Sequence, residues 1–153
     1  MKFKTVLLSI ISIAVLFSLG CGGSKPLPPG NAPDKSTITE GVMTTSVDND
    51  SKPTSPVKTS FPVDTAVIFC SFKVAGVLPE DMIKASWYYV KGEVPGKENE
   101  LLAEVVTSVE SDLPSYYLAF NYPKPTGGWY KGNYKVILSV NSADKLTVPF
   151  NIE

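Results

Sequence analysis

The sequence contains no histidine, and all 14 of its basic residues are lysine, arginine being absent. Histidine is the usual general base near neutral pH and the commonest zinc ligand, so histidine-based triads and His-containing zinc sites are excluded. Without arginine there is no planar fork to grip a phosphate or carboxylate at two points. Cysteine is nearly as scarce, with Cys21 and Cys70 the only two. The lysines stand singly among acidic residues, which leaves no concentrated basic face of the kind nucleic acid requires. Nucleic acid is therefore not an expected partner, and no metal or cofactor is expected. The acidic stretch "DND", Asp48 to Asp50, lacks the central glycine and late glutamate of a calcium loop and reads as solvated charge.

Long apolar runs are also missing, with one exception near the start. Lys2 and Lys4 precede "VLLSIISIAVLFSL", Val6 to Leu19, in which only serine interrupts the hydrophobes. That is the layout of a secretory leader. As a helix the run would extend roughly 21 Å, short of the roughly 30 Å hydrocarbon core of a bilayer. The run stops at "SLGC", where the small Gly20 precedes Cys21. This junction resembles the lipobox of bacterial lipoproteins, although Ser18 and Leu19 stand in the reverse of the order that family prefers. The resemblance implies cleavage before Cys21 and attachment of diacylglycerol, with acyl chains such as palmitate, to its thiol. It implies a protein of the bacterial cell envelope, lipid-anchored through Cys21 with its domain on the extracytoplasmic side. The alternative is ordinary cleavage nearby, leaving Cys21 as a free thiol.

Removing Lys2 and Lys4 from the 14 lysines leaves 12 against 15 acidic residues, a formal charge of about −3. From Gly22 to about Ser60 the chain is rich in Pro, Ser, Thr, Gly, Asn and Asp. Such a composition buries too little apolar surface to offset its ordering entropy, so a disordered tether is expected over 21–60. As a flexible coil it would reach about 35 Å on average and roughly 130 Å when stretched.

Beyond Phe61 the pattern changes to strict alternation, the mark of half-buried strands. Ile68, Cys70, Phe72 and Val74 share one face, as do Ile83, Ala85, Trp87 and Tyr89, with Lys73 on the opposite side from Cys70. Tyr116, Leu118, Phe120 and Tyr122 form a third set, Tyr134, Val136, Leu138 and Val140 a fourth, and Leu146, Val148, Phe150 and Ile152 a fifth. Leu101 to Val109 adds a further strand, and a short one is expected near Pro56 to Val63. Turn signals such as "GVLPED", "GEVPGKEN" and "PKPTGG" separate them. The expected fold is all-β: an antiparallel sandwich of six to seven strands over 61–153, preceded by a signal helix over 1–20 and the tether. Pro149 cannot donate to a ladder, so the last strand should be an edge or bulged there. Cys70 should be a buried core residue and Trp87 the tryptophan packed between the sheets.

The closing segment "GGWYKGNYKVILSVNSADKLTVPFNI" resembles the final hairpin of Ig-like and fibronectin-III-like domains on bacterial surface proteins. Gly127 and Gly128 would allow the bend, Trp129 could cover the end of the core, Gly132 would supply a positive φ at the start of the penultimate strand, and Tyr134 would place its hydroxyl on a nearby backbone group. Aromatic residues outside the alternating core can stack on sugars or anchor a protein partner, and Tyr88, Tyr117, Trp129 and Tyr130 are the candidates. The expected function is a non-catalytic binding or adaptor module for an envelope protein or glycan. A structural accessory subunit of an envelope complex, joined by strand addition, is the alternative. Catalysis would have to use acid pairs such as Glu80 with Asp81 or Glu98 with Glu100, all of which lie in polar turns. The chain is not expected to be an enzyme.

Overall fold

The computed structural model describes residues 35–110 and 114–153, so the leader, Cys21 and the first part of the expected tether lie outside the described residues. The described residues form eight strands: β1 (Thr37–Thr44), β2 (Ser60–Phe61), β3 (Val67–Ala75), β4 (Met82–Gly92), β5 (Glu100–Ser108), β6 (Ser115–Pro123), β7 (Gly132–Val140) and β8 (Ala143–Ile152). They assemble into an all-β structure of two sheets, one ordered β1-β3-β6 and the other β2-β8-β7-β4-β5. All pairings are antiparallel except that of β2 with β8.

The alternating faces read from the sequence point into one shared core. Ile68, Cys70, Phe72 and Val74 from β3 are fully buried, and so are Ile83 and Ala85 from β4 and Val136, Leu138 and Val140 from β7. Trp87 lies between the sheets, its ring centroid 5.7 Å from Tyr122 of β6 and 6.0 Å from Phe150 of β8. Its indole N–H has no hydrogen-bond partner among the described residues, a cost of about 1–3 kcal/mol set against burial of the ring. Tyr134 donates its hydroxyl to the Tyr130 carbonyl at 2.7 Å, as the closing segment implied. At Pro149 β8 is flanked only by β7, because β2 pairs with Asn151 and Ile152 alone; the missing donor therefore breaks no ladder.

Seven strands, β2 to β8, lie over 60–153, within the six to seven expected there, but one expectation is corrected: the folded part begins well before residue 61, because an eighth strand, β1, falls inside the segment expected to be tether. A bulge hides β1 in the sequence. The register with β3 shifts between Thr39 and Val42, so Ile38 and Met43, an odd number of residues apart, are both buried. Gly41 in that bulge lies against β8, where a Cβ would come within 2.6 Å of Leu146 and 2.7 Å of Val148. The residues after β1 are held by polar contacts instead of apolar burial. Ser55 Oγ meets Thr44 Oγ1 at 2.7 Å and Thr45 Oγ1 at 2.9 Å, and Val47 bridges Pro53.

Candidate functional site

The outer face of the three-stranded sheet carries the row Thr39, Lys73 and Tyr117, placed side by side by the registers of β1, β3 and β6. Beside it the β1 bulge puts Glu40 at a φ of 54°, a backbone position that non-glycine residues seldom take. From there its carboxylate accepts hydrogen bonds from the Tyr117 hydroxyl and from Lys73 Nζ. The Tyr117 bond, helped by Lys73, holds the Glu40 carboxyl below the usual carboxylate range, and the same bond raises the Tyr117 hydroxyl.

A tight turn over 48–52 folds onto this face. Asp48 Oδ1 accepts from the backbone N–H groups of Asp50 at 2.9 Å and Lys52 at 2.8 Å, and the Ser51 carbonyl accepts from Ser71 Oγ at 2.6 Å. Lys52 Nζ then lies 5.5 Å from the centre of the Tyr117 ring. Turn and sheet enclose an open cleft of about 430 Å³ lined by Asn49, Asp50, Ser51, Lys52, Lys73 and Tyr117, with Ser115 and Tyr116 at one side. Its lining residues carry two ammonium groups, an amide, a carboxylate, and the hydroxyls of two serines and two tyrosines. That set can hold a polar ligand with an anionic group. Glu40 lies beside the cleft, with its carboxylate already accepting from Tyr117 and Lys73.

The four aromatic candidates are not brought together. Tyr117 is in the cleft. Tyr88 lies on the outer face of the other sheet, between Leu101 and Lys135, with Lys135 Nζ 5.2 Å over its ring. Tyr130, in the loop before β7, is 40% exposed, edges onto Tyr89 at 6.3 Å and has Lys97 Nζ at 5.8 Å. Trp129 is corrected as a binding candidate and takes instead the core-covering role that the closing segment implied: it is buried, donates its indole N–H to the Thr65 carbonyl at 2.7 Å and packs against Tyr122 and Tyr134. With its donor used and both neighbours aromatic, it closes the end of the core and presents no stacking face. Lys52, Lys73 and Glu40 were not among the candidates, because their meeting with Tyr117 joins segments far apart in the chain.

One member of each acid pair is engaged locally. Asp81 accepts from the Leu78 N–H and from Asn141 Nδ2, each at 2.7 Å, and Glu100 pairs with Lys97 at 3.1 Å. Among the described residues no cluster of His, Cys, Asp or Glu is suited to a metal ion. Burial pushes the Cys70 thiol up to about 12. In native protein it should therefore stay inert to a thiol reagent at pH 8 and react only after denaturation; prompt labelling of Cys70 in the native state would contradict its burial.

No protein-family model matches the chain, and no curated protein matches it. Solved structures do. The chain is similar to part of the Pseudomonas fluorescens alkylpurine DNA glycosylase AlkC bound to DNA containing an abasic site analog, with a TM-score of 0.54 and 14% identity. That likeness covers 80% of this chain and 31% of the other. A β-D-glucoside glucohydrolase from Trichoderma reesei gives a TM-score of 0.47 at 9% identity over 79% of this chain and 19% of its own. A Listeria innocua β-glucosidase in complex with gluconolactone gives 0.45 at 10% identity over 64% and 15%. The chain thus spans less than a third of the length of each of these proteins. At such identities the first likeness bears on the fold alone, and the other two carry no argument.

Proposed function

We propose that the protein is a bacterial envelope lipoprotein, anchored by lipid on Cys21, whose Ig-like β-sandwich is a non-catalytic binding module. The Ig-like reading is supported by three features: sheets of three and five strands, a tryptophan on β4 between them, and the Tyr134 hydroxyl turned back onto the Tyr130 carbonyl at the start of β7. The binding reading rests on one observation, the cleft in which Lys52 and Lys73 flank Tyr117. The preferred partner is an envelope protein or glycan carrying anionic groups, and no cofactor takes part.

The test uses the full-length protein in cells, with a photo-crosslinking residue in place of Tyr117 or, as a control, of the exposed Lys91. Position 117 is expected to give one discrete adduct that position 91 does not. Absence of any adduct, or the same adducts from both positions, would remove the cleft as the contact site.

A second reading, the accessory subunit joined by strand addition, is favoured by a different observation. The β5 strand lies at the end of its sheet, and no described strand pairs with its other side.

A further inference from the structure

The three-stranded sheet ends in β1 and β6, and the five-stranded sheet ends in β2 and β5. An unpaired edge presents a row of backbone N–H and C=O groups ready to accept another strand. The four differ in what they offer. β1 is closely approached by β8 at Gly41, β2 is two residues long, and β6 has no strongly exposed large apolar residue. β5 is nine residues long and carries Leu101 at 47% and Val106 at 48% exposure.

Charge then selects the partner. From Glu98 to Glu110 the chain holds four carboxylates and no lysine. Glu100 is paired with Lys97 and Glu104 with Lys84, but exposed Glu98 and Glu110, one beyond each end of the strand, form no ion pair with a described residue. A second copy is a poor occupant. Antiparallel pairing of β5 with itself about its centre would set Glu104 opposite Glu104, and like charges directly opposed are destabilising.

We propose that β5 is the docking edge for an extended, lysine- or arginine-bearing segment of a partner protein, which adds to the five-stranded sheet as a sixth strand. Its apolar side chains lie beside Leu101 and Val106, and its basic side chains reach Glu104 and the free carboxylates of Glu98 and Glu110. Main-chain bonds supply affinity and the acidic rim supplies selectivity. This deepens the accessory-subunit reading and rests on it for its biological purpose. A merely protective edge, in which the carboxylates only repel stray strands, predicts no binding at all.

Leu101, Glu104 and Val106 share the outer face of the sheet, so the experiment uses the detergent-solubilised full-length protein and a blocked ten-residue threonine peptide in which every second residue is in turn valine and lysine, beside a matched peptide with glutamate in place of lysine. Amide hydrogen exchange is expected to slow across Leu101 to Ser108 with the lysine peptide only. A Glu98→Lys, Glu110→Lys double variant should weaken binding about tenfold with an unchanged unfolding midpoint, since neither side chain supports the fold. Protection elsewhere, no protection, or equal protection by the glutamate peptide would overturn the proposal. Its failure is distinguishable from failure of the binding-module reading: a discrete adduct from position 117 with β5 unprotected removes only the docking edge.

Discussion

Replacing Cys21 by alanine is expected to abolish all lipid mass on the protein. Intact mass of the membrane-extracted wild type should match a chain beginning at Cys21 plus diacylglycerol, and no molecule of the Cys21→Ala variant should carry that addition. Each buried methylene contributes about 0.8 kcal/mol, and one acyl chain gives only marginal binding, so the anchor needs the two or more chains that a lipidated cysteine provides. Equal masses for wild type and variant would overturn the anchor and with it the envelope-tether reading. The correction at β1 sharpens what such an anchor would do. Lys35 is only 14 residue steps along the chain from Cys21, a span of at most about 50 Å, where a tether extending to Ser60 would reach roughly 130 Å. The chain enters the domain where Thr37 pairs with Ala75, two residues along β3 from Lys73 in the cleft.

Strands β3, β4, β6, β7 and β8 were legible because each keeps strict alternation over its inward residues, and Trp87 and Tyr134 follow from that alternation. β1 was not, because the extra residue at its bulge moves Met43 onto the same face as Ile38 while polar neighbours lower the local hydropathy. β5 was legible as a strand but not in its facing. The register shift between Trp87 and Tyr88 leaves Leu102 and Ala103 both packed on the core and turns Leu101 outward. Trp129 was legible as cover for the end of the core from the Gly127–Gly128 bend, but alternation says nothing about a loop residue, so its listing among the binding aromatics was not separable from that role in the sequence. Of the cleft, Tyr117 and the outward face of Lys73 were readable from β6 and β3. The bonds from Lys73 and Tyr117 to Glu40 span 33 and 77 residues, and no local pattern announces them.

A single methyl group at Gly132 is expected to cause a large loss of stability. Its φ of 149° is one that L side chains rarely adopt, and it pairs directly with Gly92 across β4 and β7. A Cβ there would stand 2.4 Å from the Lys91 carbonyl oxygen, 2.8 Å from Gly92 Cα and 3.0 Å from the Tyr89 ring. The first two are backbone atoms and cannot swing away. The close approach also keeps Tyr89 in place, its hydroxyl donating to the Lys131 carbonyl and accepting from the Val94 N–H. Gly132→Ala is therefore expected to cost about 3 kcal/mol and to lower the unfolding midpoint by roughly 10 °C or more. Gly96→Ala is the control: its φ of 80° is also positive, but nothing stands within 4 Å of the added Cβ, so only about 1 kcal/mol of backbone strain should be lost. Thermal unfolding of both variants separates the two costs. A Gly132 variant no worse than the Gly96 variant would mean that β4 and β7 can part at this crossing, and that the Tyr89 and Trp129 end of the core is looser than its packing indicates.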